Sequence, residues 1–198
     1  MAAQSQRPLY RIVLFTLLSG LALRADVVAQ QPSAPPSGQY GGLSSRFIPT
    51  DIWTRMLERP EDAPSSFTVT ASRDSAWVAL QDAFKQLDVP LDFSDKVAGE
   101  MGTVRAKLYR RLGKAPVSDF LRCGEGISGP NADSYVVYLS VVGFVRPAQD
   151  GGTTVVALIT GQAVDLPNGR NDVVPCTTTG KLEDKVAKSV IKRLGGSR

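Results

Sequence analysis

The sequence predicts an α+β domain: an antiparallel sheet of four to five strands with two amphipathic helices packed on one face. Three observations carry this expectation. Two long β-prone runs, 134–145 and 153–164, flank the turn Pro147-Ala148-Gln149-Asp150-Gly151-Gly152, which makes a hairpin the centre of the chain. Two other segments, 73–87 and 182–194, repeat apolar residues at three- and four-residue intervals, the spacing of one buried helix face. The order is strand, helix, three or four strands, helix. Placing both helices on the same face of the sheet is the simplest packing that buries both stripes.

Composition sets the outer bounds. A chain of 198 residues, 42% hydrophobic and 21% charged, has room for one core. The formal charge of +4 falls to +2 beyond residue 29, once Arg7, Arg11, Arg24 and Asp26 are set aside. Net charge alone therefore gives no reason to expect a nucleic-acid partner, which would need a local basic patch. The chain has no histidine. That removes Ser-His-Asp and Cys-His catalysis, histidine zinc sites and histidine pH switches together.

Residues 1–29 have the layout of a secretory signal peptide. Arg7 and Arg11 precede an uncharged, mostly apolar run over 12–23, and Val27-Val28-Ala29 offers a small residue for cleavage after Ala29. As a helix that run covers about 18 Å, short of the roughly 30 Å needed to anchor it across a bilayer. The expected location is periplasmic or secreted. Residues 30–49, beginning QQPSAPPSGQYGGLSS, read as a disordered linker with little to bury. A short helix with connector follows over 50–65. Thr50 is its expected N-cap and Pro60 its stop, and Ile52, Trp53, Met56 and Leu57 form one apolar face. That face is expected to dock either on the protein's own core or in the groove of an envelope protein partner.

The folded domain is expected over 66–198. A first strand alternates over 66–71, and Ser72 caps the helix whose Ala76, Trp77, Leu80, Ala83, Phe84 and Leu87 share one face. A short strand over 91–94 precedes the strand 103–109. There Val104, Ala106 and Leu108 are expected on one face, with Thr103, Arg105, Lys107, Tyr109 and then Arg111 on the other. Residues 115–121 read as a short helical turn. Gly143 and Gly161, inside the hairpin arms, mark either a bulge or a close approach of backbone. In the last helix Leu182, Val186, Ala187, Val190, Ile191 and Leu194 line one stripe, with Glu183 and Asp184 at its start and Lys192 and Arg193 at its end.

Export places Cys123 and Cys176, the only two cysteines, where thiols oxidise, so one disulfide is expected between them at the open end of the hairpin. Other patterns carry less. Gly124-Glu125-Gly126-Ile127-Ser128-Gly129 spells G-x-G-x-x-G, but Pro130 and a strand follow it where the dinucleotide motif requires a helix. The polar stretch from Asp165 to Asp172 lacks the alternate oxygens and closing Glu of a calcium loop. Asp92, Asp95 and Glu100 are acids near a turn, the only basis for a carboxylate hydrolase. No cofactor or metal is expected. The basic run holding Arg105, Lys107, Tyr109 and Arg111, with Arg110 and Lys114, reads in two ways. It is either a polyanion-binding face or a sheet edge protected by charge.

The element order over 67–194, a central hairpin leading to a C-terminal amphipathic helix, resembles the helix-grip domains of lipoprotein subunits of the outer-membrane β-barrel assembly machine. The chain departs from them in having no lipid-anchor cysteine after its apolar run. The resemblance implies an envelope-assembly role and transfers no residue roles. The sequence thus points to an exported, non-enzymatic binding or envelope-assembly module. Its alternatives are a binder of an anionic or lipid ligand, at the basic strand or in a helix–sheet cavity, and a carboxylate-based hydrolase.

Overall fold

The computed structural model describes residues 49–50, 65–149, 151–166, 169 and 171–195. The expected signal peptide, the linker up to residue 48 and the face made by Ile52, Trp53, Met56 and Leu57 lie outside them.

The chain runs β1 (Ser65–Val69), α1 (Arg73–Gln86), β2 (Phe93–Asp95) and the long β3 (Glu100–Tyr109). Short strands follow: β4 (Arg111–Leu112), β5 (Ala115–Pro116), β6 (Leu121–Arg122), β7 (Glu125–Gly126) and β8 (Gly129–Pro130). A helical turn, α2 (Asn131–Ser134), enters the central hairpin of β9 (Val136–Pro147) and β10 (Thr153–Val164). β11 (Val173–Thr178) and α3 (Lys181–Arg193) complete the domain. The α+β class and the antiparallel sheet are as expected, but the sheet is larger than four to five strands. Among the described residues nine strands join in it, in the order β5-β4-β3-β9-β10-β11-β6, with β1 also on β10 and β2 on β3. The strands of this sheet beyond those expected are β4, β5 and β6, two residues each and too short to show a period, and β11, whose six residues are interrupted by Pro175. The helical turn expected over 115–121 shrinks to Val117–Asp119, a single 3-10 turn between β5 and β6.

Local chemistry explains the helix ends. Ser72 stays extended and its hydroxyl accepts from the Ser75 amide at 3.2 Å, capping α1. At the start of α3, Gly180 takes φ 78°, a left-handed turn that glycine adopts without steric cost. The two helices meet along their lengths, joined at the rim by Ser189 Oγ to Gln86 Oε1 at 2.8 Å and Arg193 to Asp82 at 2.9 Å.

Their apolar stripes cover one face of β9 and β10. Val137, Leu139, Val141 and Val145 join Val155, Ala157 and Ile159 there, with Leu80, Phe84, Leu182 and Val186 above them, all essentially inaccessible. Gly143 lies in that row because α1 leaves no room for a side chain. A Cβ at this position would stand 2.7 Å from Leu80 Cδ2 and 3.1 Å from Phe84 Cζ. Gly161 is equally tight, with Leu121 Cδ1 at 2.6 Å from the same point. Both glycines therefore mark close approach. Gly143→Ala is expected to destabilise the domain by about 1–3 kcal/mol through overpacking. An unchanged urea midpoint would show instead that α1 can ride outward.

The opposite face of the hairpin carries a second apolar cluster, Val142, Phe144, Val156 and Leu158, against which Phe93 and Val104 pack. A sheet that is apolar on both faces explains why the middles of both hairpin arms read as continuous hydrophobic runs.

The facing pattern along β3 differs from the expected one. β3 pairs with β9 as Thr103 to Val141 and then, after a shift, Ala106 to Leu139. Val104 and Arg105 together stand opposite Ser140, a β-bulge in which Arg105 takes φ 59° and its amide donates to Ser140 Oγ at 3.0 Å. Thr103 consequently lies on the helix side with Ala106 and Leu108, while Val104 lies on the other side with Lys107 and Tyr109. The left-handed backbone costs about 1 kcal/mol for a residue with a Cβ, which the Ser140 hydrogen bond helps to offset.

Cys123 and Cys176 form a disulfide, with Cα atoms 4.2 Å apart and both side chains buried. It lies to one side of the hairpin. β6 pairs with β11 as Thr177 to Arg122 and Thr178 to Leu121, and Cys176 lies opposite Gly161 of β10. The next pair along β6 and β11 is therefore Cys123 with Cys176. The bridge ties the two strands added outside β10, near the hairpin's open end, and leaves β9 free of it.

Candidate functional site

The charged positions divide into those engaged within the fold and those left facing solvent. The β2–β3 turn belongs to the first group. Arg73 of α1 donates to the carbonyls of Lys96 and Val97 at 3.0 and 2.7 Å. Arg146 of β9 donates to the Ala98 carbonyl and pairs with the buried Glu100 at 3.0 Å. Asp95 accepts from the Ala98 amide at 2.9 Å, and Asp92 accepts from the Thr103 hydroxyl. The three acids noted in the sequence thus each hold a part of this turn. Each is satisfied by a different partner, and of the three only Asp95 and Glu100 stand directly opposite each other, across β2 and β3.

The G-x-G-x-x-G stretch forms the two-stranded β7–β8 ribbon and meets only the four-residue turn α2. Asn131 closes the ribbon: its amide donates to the Gly124 carbonyl at 3.0 Å and its side chain to the Cys123 carbonyl at 3.1 Å. The polar stretch beginning at Asp165 is described only in part. Among the described residues, no group of three or more acids or cysteines stands close enough to hold a metal ion.

Part of the second group gathers where β3, β4 and β5 reverse; Lys85, Arg122, Lys185, Lys188 and Lys192 are exposed elsewhere, on the helices and β6. Lys107 and Tyr109 of β3 lie opposite Tyr138 and Val136 of β9, on the sheet face away from the helices. Arg110 turns the chain at φ 65°, which sets Arg111 opposite Tyr109. The Arg110 guanidinium rests 5.5 Å from the centre of the Tyr109 ring, a cation–π contact that orders both side chains at the surface. Arg111 donates to the Lys114 carbonyl at 2.9 Å, closing the next turn. Lys107, Tyr109, Arg110, Arg111 and Lys114 are all exposed. Of the four residues named for this face, Lys107, Tyr109 and Arg111 come together. Arg105 sits in the bulge at φ 59°, with its side chain also exposed.

An open cleft of about 380 Å³ adjoins these cations. Arg110 and Arg111 line one side, and Ser128, Pro130, Asp133 and Ser134 the other. Asp133 is engaged there by Ser118, whose amide and hydroxyl donate to its two carboxylate oxygens at 2.9 and 2.5 Å. Ser128 belongs to the tip of the β7–β8 ribbon, and beside it Ile127 is fully exposed. The sequence held a signal for Ile127: an aliphatic residue stands at a turn position, between Gly126 and Gly129, where polar residues are the rule. A larger cleft, about 510 Å³, is lined by Asp74, Ser75, Val78, Ala79, Arg193 and Leu194. It sits between the ends of α1 and α3, and among the described residues no sheet residue lines it.

No protein-family model matches the chain, and no curated protein sequence matches it.

Proposed function

We propose that the chain is an exported, non-enzymatic binding module of the cell envelope, and that it engages an anionic partner at the β3–β5 end. The observation that carries this reading is a contrast in pairing. Lys96, Arg146, Lys181 and Arg193 each pair with a carboxylate of the fold at 2.9–3.3 Å. Lys107, Arg110, Arg111 and Lys114 have no described carboxylate in ion-pair range, and unlike the similarly unpaired Lys185, Lys188 and Lys192 of α3 they sit at one strand reversal beside a cleft. Like charges held within about a Debye length, roughly 8 Å at physiological salt, repel one another. A partner bearing phosphate, sulfate or carboxylate groups would turn that repulsion into attraction.

Binding is favoured over turnover because Asp92, Asp95 and Glu100, the acids a hydrolase would use, are committed to the β2–β3 turn. The leader sequence and the disulfide support export, and the resemblance in element order supports an envelope setting. Charge reversal at Lys107, Arg110 and Arg111 is the test. The parent chain is expected to be retained on phosphocellulose until salt screens it, and the triple Glu variant to elute at markedly lower salt. Equal elution of the two would show that these side chains form only a solvated surface.

A further inference from the structure

The exposed Ile127 beside the cations carries the reading one step further. Resting on the anionic-partner proposal above, we propose that the β3–β5 end and the β7–β8 tip together form a docking face for an anionic lipid surface. Ile127 is the element that enters the acyl region.

Three features of this face match the layers of a bilayer from the inside outward. Ile127 is fully exposed at the tip of a two-residue turn, so its side chain can leave water without any rearrangement of the core. Tyr109 is 55% exposed, and its ring carries Arg110, which places an amphipathic aromatic beside a cation as at a headgroup boundary. Lys107, Arg111 and Lys114 supply further charge. The cleft shared by Arg110, Arg111 and Ser128 places the tip alongside these cations.

The apolar tip separates lipid from other anions. A polyanionic glycan or nucleic acid would answer the cations but offers no apolar phase to Ile127. A membrane of anionic headgroups answers both. The arrangement, a small apolar insertion joined to a basic patch, gives reversible surface binding and does not span the bilayer. Each cation near such a surface strengthens binding by about fivefold, and burial of an isoleucine side chain by on the order of tenfold or more.

The test uses the chain from Gln30 with its disulfide intact, floated with phosphatidylcholine vesicles with or without phosphatidylglycerol. Binding is expected to the anionic vesicles alone and to fall with salt. Ile127→Ser should weaken that binding by about tenfold while leaving retention on phosphocellulose unchanged. Lys107→Glu with Arg110→Glu should weaken both. Ile127→Trp should give an added fluorescence that brominated phosphatidylglycerol quenches. Unaltered vesicle binding by Ile127→Ser, unquenched emission from Ile127→Trp, or no binding of the parent to anionic vesicles would overturn the lipid proposal. With charge-sensitive phosphocellulose retention intact, the anionic-partner reading would survive that outcome. Loss of charge sensitivity on phosphocellulose would remove both. Because Ile127 makes no part of the core, matching far-ultraviolet circular dichroism of the variants is expected and secures the comparison.

Discussion

Replacing Cys123 and Cys176 together by Ala is expected to lower the unfolding free energy by about 4 kcal/mol, and reduction of the parent chain should do nearly the same. The bridge spans 53 residues of sequence, and its main effect is to restrict the unfolded chain, which loses the freedom to separate its two ends. Both cysteines are buried against the core, so some sulfur packing is lost in addition. A domain of this size is stable by roughly 5–15 kcal/mol, and the change is therefore a large fraction of the whole. Urea unfolding with and without reductant measures it. A loss under about 1 kcal/mol would mean that β6 and β11 already hold the loop closed in the unfolded ensemble.

Phe84→Ala should cost about 3–5 kcal/mol, near the upper end for a core truncation. The size follows from what lines the space left behind. Phe84 is fully buried, and its ring lies against the backbone of β9 where Gly143 has no side chain. A side chain could swing in to fill the void, but β9 is bonded to β3 on one side and β10 on the other and cannot move toward α1. The midpoint in urea should drop while the slope stays the same, since the exposed surface barely changes. A measured loss under about 2 kcal/mol would show that α1 settles into the gap. The same geometry predicts that Phe84→Ala and Gly143→Ala are not additive. The methyl that meets Phe84 Cζ in the Gly143→Ala single variant loses that collision in the double variant.

Much of this architecture was legible in the chain itself. The stripes from Ala76 to Phe84 and from Leu182 to Val190 lie on helices because their spacing admits no other buried face. The hairpin follows from its turn and its two β-prone arms. The disulfide pair follows from a count of two. What stayed hidden depends on contacts between distant segments. Alternation through Thr103, Val104 and Arg105 looks regular in sequence. The bulge exists because β9 offers Ser140 alone against two residues. Likewise, one cysteine on either side of the hairpin places a bridge at its open end without saying which strands it joins. Only the pairing of β11 with β10, and of β6 with β11, moves the bridge to one side. At the candidate surface, Lys107, Tyr109 and Arg111 could be grouped by spacing. Ile127 could not: its place between Gly126 and Gly129 marks an aliphatic residue at a turn, but a ribbon of two-residue strands has no period that would set it beside the cations.

The placement of the bridge also decides what a protease can do to the oxidised chain. The turn joining β9 to β10, with Gln149 and Gly151 exposed, lies inside the loop that the two cysteines close. One cut there opens the backbone yet releases no fragment, because both pieces remain joined through sulfur and β9 still lies hydrogen-bonded along β10. The hairpin can thus be nicked at its most accessible point and remain one molecule until it meets a reductant.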